Sequence, residues 1–95
     1  MAYRLTARAL RDLDNLTDFG LDRWGAVRTR DYVERLRDVF GTIADMPGIG
    51  RARAELGHGV RSFPVGSHIV VYRTDAGELI ILAIPHQSVD PESHL

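Results

Sequence analysis

The chain has 95 residues, which confines it to a single domain spanning 1–95 and excludes a TIM barrel, a full dinucleotide-binding fold or a two-domain enzyme. Its 12 basic and 13 acidic side chains leave a net charge of −1, so there is no surplus of cations with which to grip a phosphate backbone, and direct nucleic-acid binding is not expected. No cysteine is present, which excludes disulfides, zinc–thiolate sites and thiol nucleophiles.

All twelve bases are arginine, a residue that suits protein interfaces better than lysine does. The opening segment has no apolar signal core, and the longest apolar run, Leu79 to Ile84, is too short to span a bilayer. A cytoplasmic protein without a membrane segment is expected.

In chain order, residues 2–5 read as a short strand and Thr6 as a helix N-cap. Leu10, Leu13, Leu16, Leu21 and Trp24 recur at helical spacing, and Gly25 stands where that helix should stop. Thr29 is the expected cap of a second helix, whose apolar stripe is Tyr32, Val33, Leu36, Val39, Phe40, Ile43 and Ala44, with Pro47-Gly48 as its terminator. The short link makes the two helices an antiparallel hairpin. Residues 47–59 read as a loop. Three strands follow, over 60–65, 68–74 and 78–85, joined by Gly66-Ser67 and by a three-residue turn Asp75-Ala76-Gly77. The expected fold is α+β: an N-terminal helical hairpin packed on one face of a small antiparallel sheet of three or four strands.

Strict alternation places Phe63, Tyr72, Ile80, Leu82 and Ile84 on one sheet face, and Ile69, Val71, Arg73, Leu79, Ile81 and Ala83 on the other. Both faces are apolar, whereas a sheet with one wet face alternates apolar and polar residues. A helical hairpin covers one face only. The second face is therefore expected to expose several hundred Å², roughly the limit for a monomer surface, and to dock another polypeptide. The competing expectation is that residues 47–59, or the tail after Pro85, fold over it.

Signals for catalysis are weak. Gly48-Ile49-Gly50 follows a helix and lacks the third glycine of a phosphate loop. None of His58, His68, His86 and His94 pairs with another at metal-ligand spacing, and the Asp90/His94 pair reads as solvated. Ser67 sits in a turn with no evident base. Arg61 and Tyr72 should face each other across two strands, Trp24 lies at the end of the first helix, and His86 ends the last strand. No catalytic residue, cofactor or metal site is assigned.

The order of short motifs resembles the ParE toxins of the RelE/ParE toxin–antitoxin superfamily. It comprises Asp12-Leu13-Asp14, Arg23-Trp24-Gly25, Met46-Pro47-Gly48-Ile49-Gly50, Arg61-Ser62-Phe63-Pro64-Val65-Gly66-Ser67-His68, Val71-Tyr72-Arg73, Pro85-His86-Gln87 and the closing His94-Leu95. The resemblance covers nearly the whole chain. It implies a non-enzymatic toxin that inhibits DNA gyrase and is neutralised by a ParD-type antitoxin in a hetero-oligomer built on an antitoxin dimer. The antitoxin segment is expected on Ile69, Val71, Arg73, Leu79, Ile81 and Ala83, and the target at Arg61, His86, Gln87 and Trp24. The alternatives are a RelE-like ribosome-dependent mRNA endonuclease and a degenerate, non-toxic interaction module. Endonuclease relatives carry basic residues where this chain has Ile69 and Gln87, and such chemistry needs cations at the transition state.

Overall fold

A computed structural model describes residues 1–89; Asp90 and His94, considered above as a pair, lie outside the described residues. Strand β1, Tyr3–Leu5, leads directly into Thr6, whose hydroxyl accepts the Ala9 N–H at 3.2 Å and donates to the Leu82 carbonyl at 2.9 Å. The cap thus satisfies an orphan helix donor and fastens the helix start to the last strand.

The helical element α1 runs from Ala7 to Asp45 and is broken inside at Gly25, where φ is 82° and ψ is 173°. A straight helix of this length would measure ~58 Å, well beyond the molecule's largest dimension of 37 Å. The element therefore doubles back at Gly25, a left-handed conformation that suits glycine. Gly20 seats against the returning arm, where a Cβ would come within 2.7 Å of the Thr29 hydroxyl oxygen.

The expected pair of linked helices is corrected to one element with an internal break. Thr29 is no cap: it is buried inside the element, and its hydroxyl donates back to the Gly25 carbonyl at 2.8 Å. The element ends as expected, with the Met46 N–H on the Thr42 carbonyl and Pro47 next in line.

Two short 3₁₀ turns, Pro47–Ile49 and Ala54–Leu56, flank β2, Arg51–Ala52. Strands β3 (Arg61–Val65), β4 (His68–Asp75) and β5 (Glu78–Ala83) complete a sheet in the order β1-β5-β4-β3-β2. The expected antiparallel sheet of three or four strands is corrected to five strands of mixed sense, because β1 pairs parallel to β5. The β4–β5 turn holds two residues, not three: Asp75 pairs with Glu78, and Ala76 and Gly77 both take positive φ, as a type I′ turn requires.

The uncovered sheet face does not exist, for three reasons. First, the ladder slips between β4 and β5: Val71 pairs with Ala83 but Tyr72 with Ile81, so Leu82 is the extra residue of a bulge. The two-residue turn, one shorter than expected, has already moved Leu79 and Ile81 to the face of Tyr72, under the helical arms with Leu36, Phe40 and Val70, and the bulge returns Ala83 to the face of Val71. Second, in line with the competing expectation, residues 47–59 fold over the other face, where Leu56 and the neighbouring Val60 pack with Val71 and Ala83. Third, Ile80, which pairs with Arg4 on one neighbouring strand and Arg73 on the other, is 1% exposed.

Of the residues expected to hold the antitoxin, Val71, Leu79, Ile81 and Ala83 are 0% exposed. Ile69 and Arg73 are half-buried.

The lid is held by Tyr72. Its hydroxyl donates to the Pro47 carbonyl at 2.7 Å and accepts the Gly50 N–H at 2.8 Å, while Arg61 donates to the Gly50 carbonyl at 2.9 Å. Arg61 and Tyr72 do pair across the strands, and both are spent on anchoring this segment.

Candidate functional site

An apolar cleft of about 530 Å³ lies between α1 and the ends of β4 and β5. Asp12, Asn15, Leu16 and Phe19 reach it from the first helical arm, at the i, i+3, i+4, i+7 spacing that puts them on one face. Trp24 closes the cleft at the bend, Tyr32 enters from the second arm, and Ser67, His68, Ile84, Pro85, His86 and Val89 form the far wall.

The mouth is aromatic and cationic. Phe19 and Trp24 meet edge to face, with centroids 5.7 Å apart. The Arg23 guanidinium lies 4.9 Å from the centre of the Phe19 ring, and that of Arg28 lies 5.9 Å from the centre of the Trp24 ring. Phe19 remains 50% exposed and Trp24 41%. Two large aromatic rings left half in water beside an apolar cleft mark a contact surface rather than core.

The inner wall is polar and closed on itself. The Tyr32 hydroxyl accepts the Ser67 N–H at 3.0 Å and sits 3.1 Å from the Val65 carbonyl and 2.7 Å from His68 Nδ1. Its one proton serves only one of the last two, so the His68 tautomer sets which. The His68 and His86 rings contact edge to face at 5.3 Å. His86 Nδ1 lies 2.8 Å from the Ser88 hydroxyl, which completes a chain of polar contacts along the wall.

The segment after β5 is pinned to the β3–β4 turn. The Ile69 N–H donates to the Pro85 carbonyl, the Gln87 N–H to the Ser67 carbonyl at 2.7 Å, and Gln87 Nε2 to the Gly66 carbonyl at 2.6 Å. On the cleft floor the Asp12 carboxylate accepts the Ile84 N–H at 2.8 Å.

Burial chiefly, and then the neighbouring His86, hold the His68 pKa below the usual imidazole value, with Asp12 pulling the other way. Burial likewise raises the Tyr32 hydroxyl, against the Ser67 N–H and Arg35. The sign for His68 follows from linkage. Its folded-state pKa is depressed, so the unfolded chain binds more protons as pH falls below about 6.5. The stability contributed by neutral His68 is whole above that pH and is lost as pH falls through the folded value. The melting temperature should therefore drop between pH 8 and pH 5, and His68→Gln should flatten that dependence in thermal unfolding; an equal slope in both proteins would refute it.

Of the residues expected at the target, the cleft brings together Trp24 and His86. Gln87 is adjacent, with its side chain committed to Gly66. Arg61 lies at the far end of β3 and does not reach the cleft. Phe19, Tyr32 and His68 were not anticipated as site residues; the second stripe Asp12, Asn15, Leu16, Phe19 beside the core-facing one was the available signal. Among the described residues, no group of three or more His, Asp or Glu side chains is placed to hold a metal ion, and no helix is long and apolar enough to cross a membrane. The cleft offers apolar surface, two aromatic rings and cations, which suits binding of polypeptide more than bond-making.

Comparison with known proteins agrees in one direction. The sequence model described as "ParE toxin of type II toxin-antitoxin system, parDE" matches residues 3–91. The chain belongs to the ParE toxin family. It is 37% identical over 93 residues to Toxin ParE1 of Caulobacter vibrioides, covering 98% of this chain and 96% of that one. Toxin ParE1 of Mycobacterium tuberculosis is 33% identical over 94 residues, at 98% and 96% coverage.

Among solved structures, the chromosomal ParDE system of P. aeruginosa aligns with a TM-score of 0.77 at 22% identity, covering 90% of this chain and 95% of that one, and shows the shared fold. The toxin–antitoxin complex RelBE2 of Mycobacterium tuberculosis aligns at 0.62 with 28% identity, covering 90% and 96%. This ParE-family chain thus shares both sequence and fold with toxins of the superfamily.

Proposed function

We propose that this ParE-family toxin inhibits DNA gyrase by protein–protein binding and is held inactive in the cytoplasm by a ParD-type antitoxin. The observation that carries the reading is the cleft mouth, where Phe19 and Trp24 stay half-exposed under Arg23 and Arg28 at the rim of an apolar cleft. Trp24 and His86 are the residues assigned to the target contact. Large aromatics with arginine beside them are the side chains that dominate binding energy at protein interfaces.

The likeness to RelBE2 favours a second reading, a RelE-like mRNA endonuclease. Against it, Ile69 stands where such relatives carry a basic residue and packs beside Val71, while Gln87 stands at the other such place and spends its amide on Gly66.

The purified protein, added to gyrase and relaxed plasmid, should block supercoiling and accumulate cleaved DNA. Added to translating ribosomes, it should leave the messenger intact. Ribosome-dependent cutting of mRNA with gyrase unaffected would replace this reading with the second.

A further inference from the structure

Apart from the cleft, the two helical arms enclose a second depression of about 540 Å³. Leu13, Thr17 and Leu21 line it from the first arm, Ala26 and Val33 from the second, and no residue lines both it and the cleft. Its apolar character continues past the rim. Leu10 precedes Thr17 and Leu21 on one helical stripe, and Val27 precedes Arg30 and Glu34 on another. Leu10, Leu21 and Val27 are 51%, 47% and 63% exposed. Three branched apolar side chains this open around one groove are unusual for a face that meets only water.

Four exposed charges frame the groove: Asp14, Glu34, Arg30 and Arg37. Asp14, Glu34 and Arg37 join no ion pair among the described residues, and Arg30 meets only its neighbour Asp31, at 3.8 Å and in water. Two acids and two bases make the frame neutral. A partner of a single sign would oppose half of it, whereas the same four charges turned by a two-fold rotation can match all of it.

We propose that this helical face pairs with the same face of a second copy of the chain. Leu21 and Val27 of each copy then lie against the groove of the other, and Asp14 and Glu34 of each face Arg30 and Arg37 of the other. The arms, Ala7 to Trp24 and Ala26 to Asp45, are ~27 and ~30 Å long and pack ~8–10 Å apart. The face therefore offers on the order of 500 Å² per copy, at the low end for specific interfaces, and the dimer is reversible and concentration-dependent. Both clefts stay open in it, and it does not depend on what they bind.

Sedimentation equilibrium of the whole chain over a concentration series tests this. The wild type should pass from the mass of one chain to that of two. Arg30→Glu/Arg37→Glu makes the frame wholly acidic and Asp14→Arg/Glu34→Arg makes it wholly basic, all at exposed helix positions. Each variant alone should self-associate roughly tenfold more weakly or worse. Their one-to-one mixture should dimerise at least as tightly as the wild type, because opposite frames then meet. Leu21→Asn/Val27→Asn, which keeps every charge, should also weaken the dimer. Trp24, the one tryptophan of the chain and a cleft residue, should keep its emission throughout.

A single-chain mass up to ~1 mM overturns the inference. A dimer that the charge variants or the asparagine variant form as readily as the wild type overturns it too, as does a mixture that restores nothing. A dimer whose formation shifts Trp24 emission would place the contact at the cleft instead and is equally fatal.

Discussion

Replacing Phe19 and Trp24 together by alanine is expected to abolish gyrase inhibition and growth arrest while leaving the protein folded. Both rings are about half in water, so their share of the folding energy is small, about 1 kcal/mol each from partial burial. Their share in a complex is much larger. An aromatic anchor that becomes fully desolvated at an interface is worth ~2–4 kcal/mol on truncation, and two adjacent ones act together. Loss of both corresponds to a drop in target affinity on the order of a hundredfold or more. The check is a supercoiling titration beside a urea unfolding curve. Full inhibition by the folded double variant would show that the cleft mouth takes no part in the toxin's action.

The second large effect is on stability. Gly50→Ala should cost ~3 kcal/mol, a large fraction of the total for a domain of this size. A Cβ on Gly50 would come within 2.4 Å of the Tyr72 hydroxyl oxygen and 2.9 Å of the Ser62 carbonyl oxygen. The backbone atom cannot move away, so the tyrosine must. Overpacking of this kind costs ~1–3 kcal/mol, and moving Tyr72 also leaves the Gly50 N–H and Pro47 carbonyl unsatisfied at about 1–3 kcal/mol more. The lid over Val71 and Ala83 loosens in consequence. A urea midpoint unchanged by Gly50→Ala would contradict this account of how the second sheet face is closed. Gly48→Ala, with nothing within 4 Å of its Cβ, is the matched control.

The helical half was readable because its signals are local. Thr6, the Leu13–Leu16 stripe, Gly25 and Pro47 each act through their immediate neighbours, and each does the expected work apart from Thr29. Thr29 has the chemistry of a cap, yet the bend at Gly25 completes itself within one residue and leaves Thr29 inside the next turn.

The sheet was harder because a register change of one residue reverses every side chain: a three-residue turn would set Leu79 and Ile81 opposite Arg73 and Val71, and the two-residue turn sets them opposite Thr74 and Tyr72, before the bulge shifts the ladder again. Nothing in Leu79-Ile80-Ile81-Leu82-Ala83 marks Leu82 as the bulge; five apolar residues in a row carry no alternation from which a slip could be seen. The lid, the competing expectation for residues 47–59, was hard to favour for a related reason. Leu56 sits among glycine and charged residues that read as loop, Val60 reads as the start of the next strand, and the tertiary pairing of Arg51 with Ser62 holds this segment beside the sheet. The apolar surplus of the sheet was a correct observation, but this chain covers its own second face, with Val71, Leu79, Ile81 and Ala83 fully buried, and the cleft proposed as the contact surface lies at the helix bend. There, the second stripe from Asp12 to Phe19 was legible but overshadowed by the core-facing one.

The most direct test is hydrogen–deuterium exchange of the toxin alone and bound to gyrase. Protection is predicted in peptides covering residues 15–28 and 85–89, with those covering β2 and the β4–β5 turn unchanged. Protection centred on Arg51, Arg73 and the β4–β5 turn, with the Phe19–Arg28 segment exchanging as in the free protein, would contradict the assignment of the cleft as the working surface.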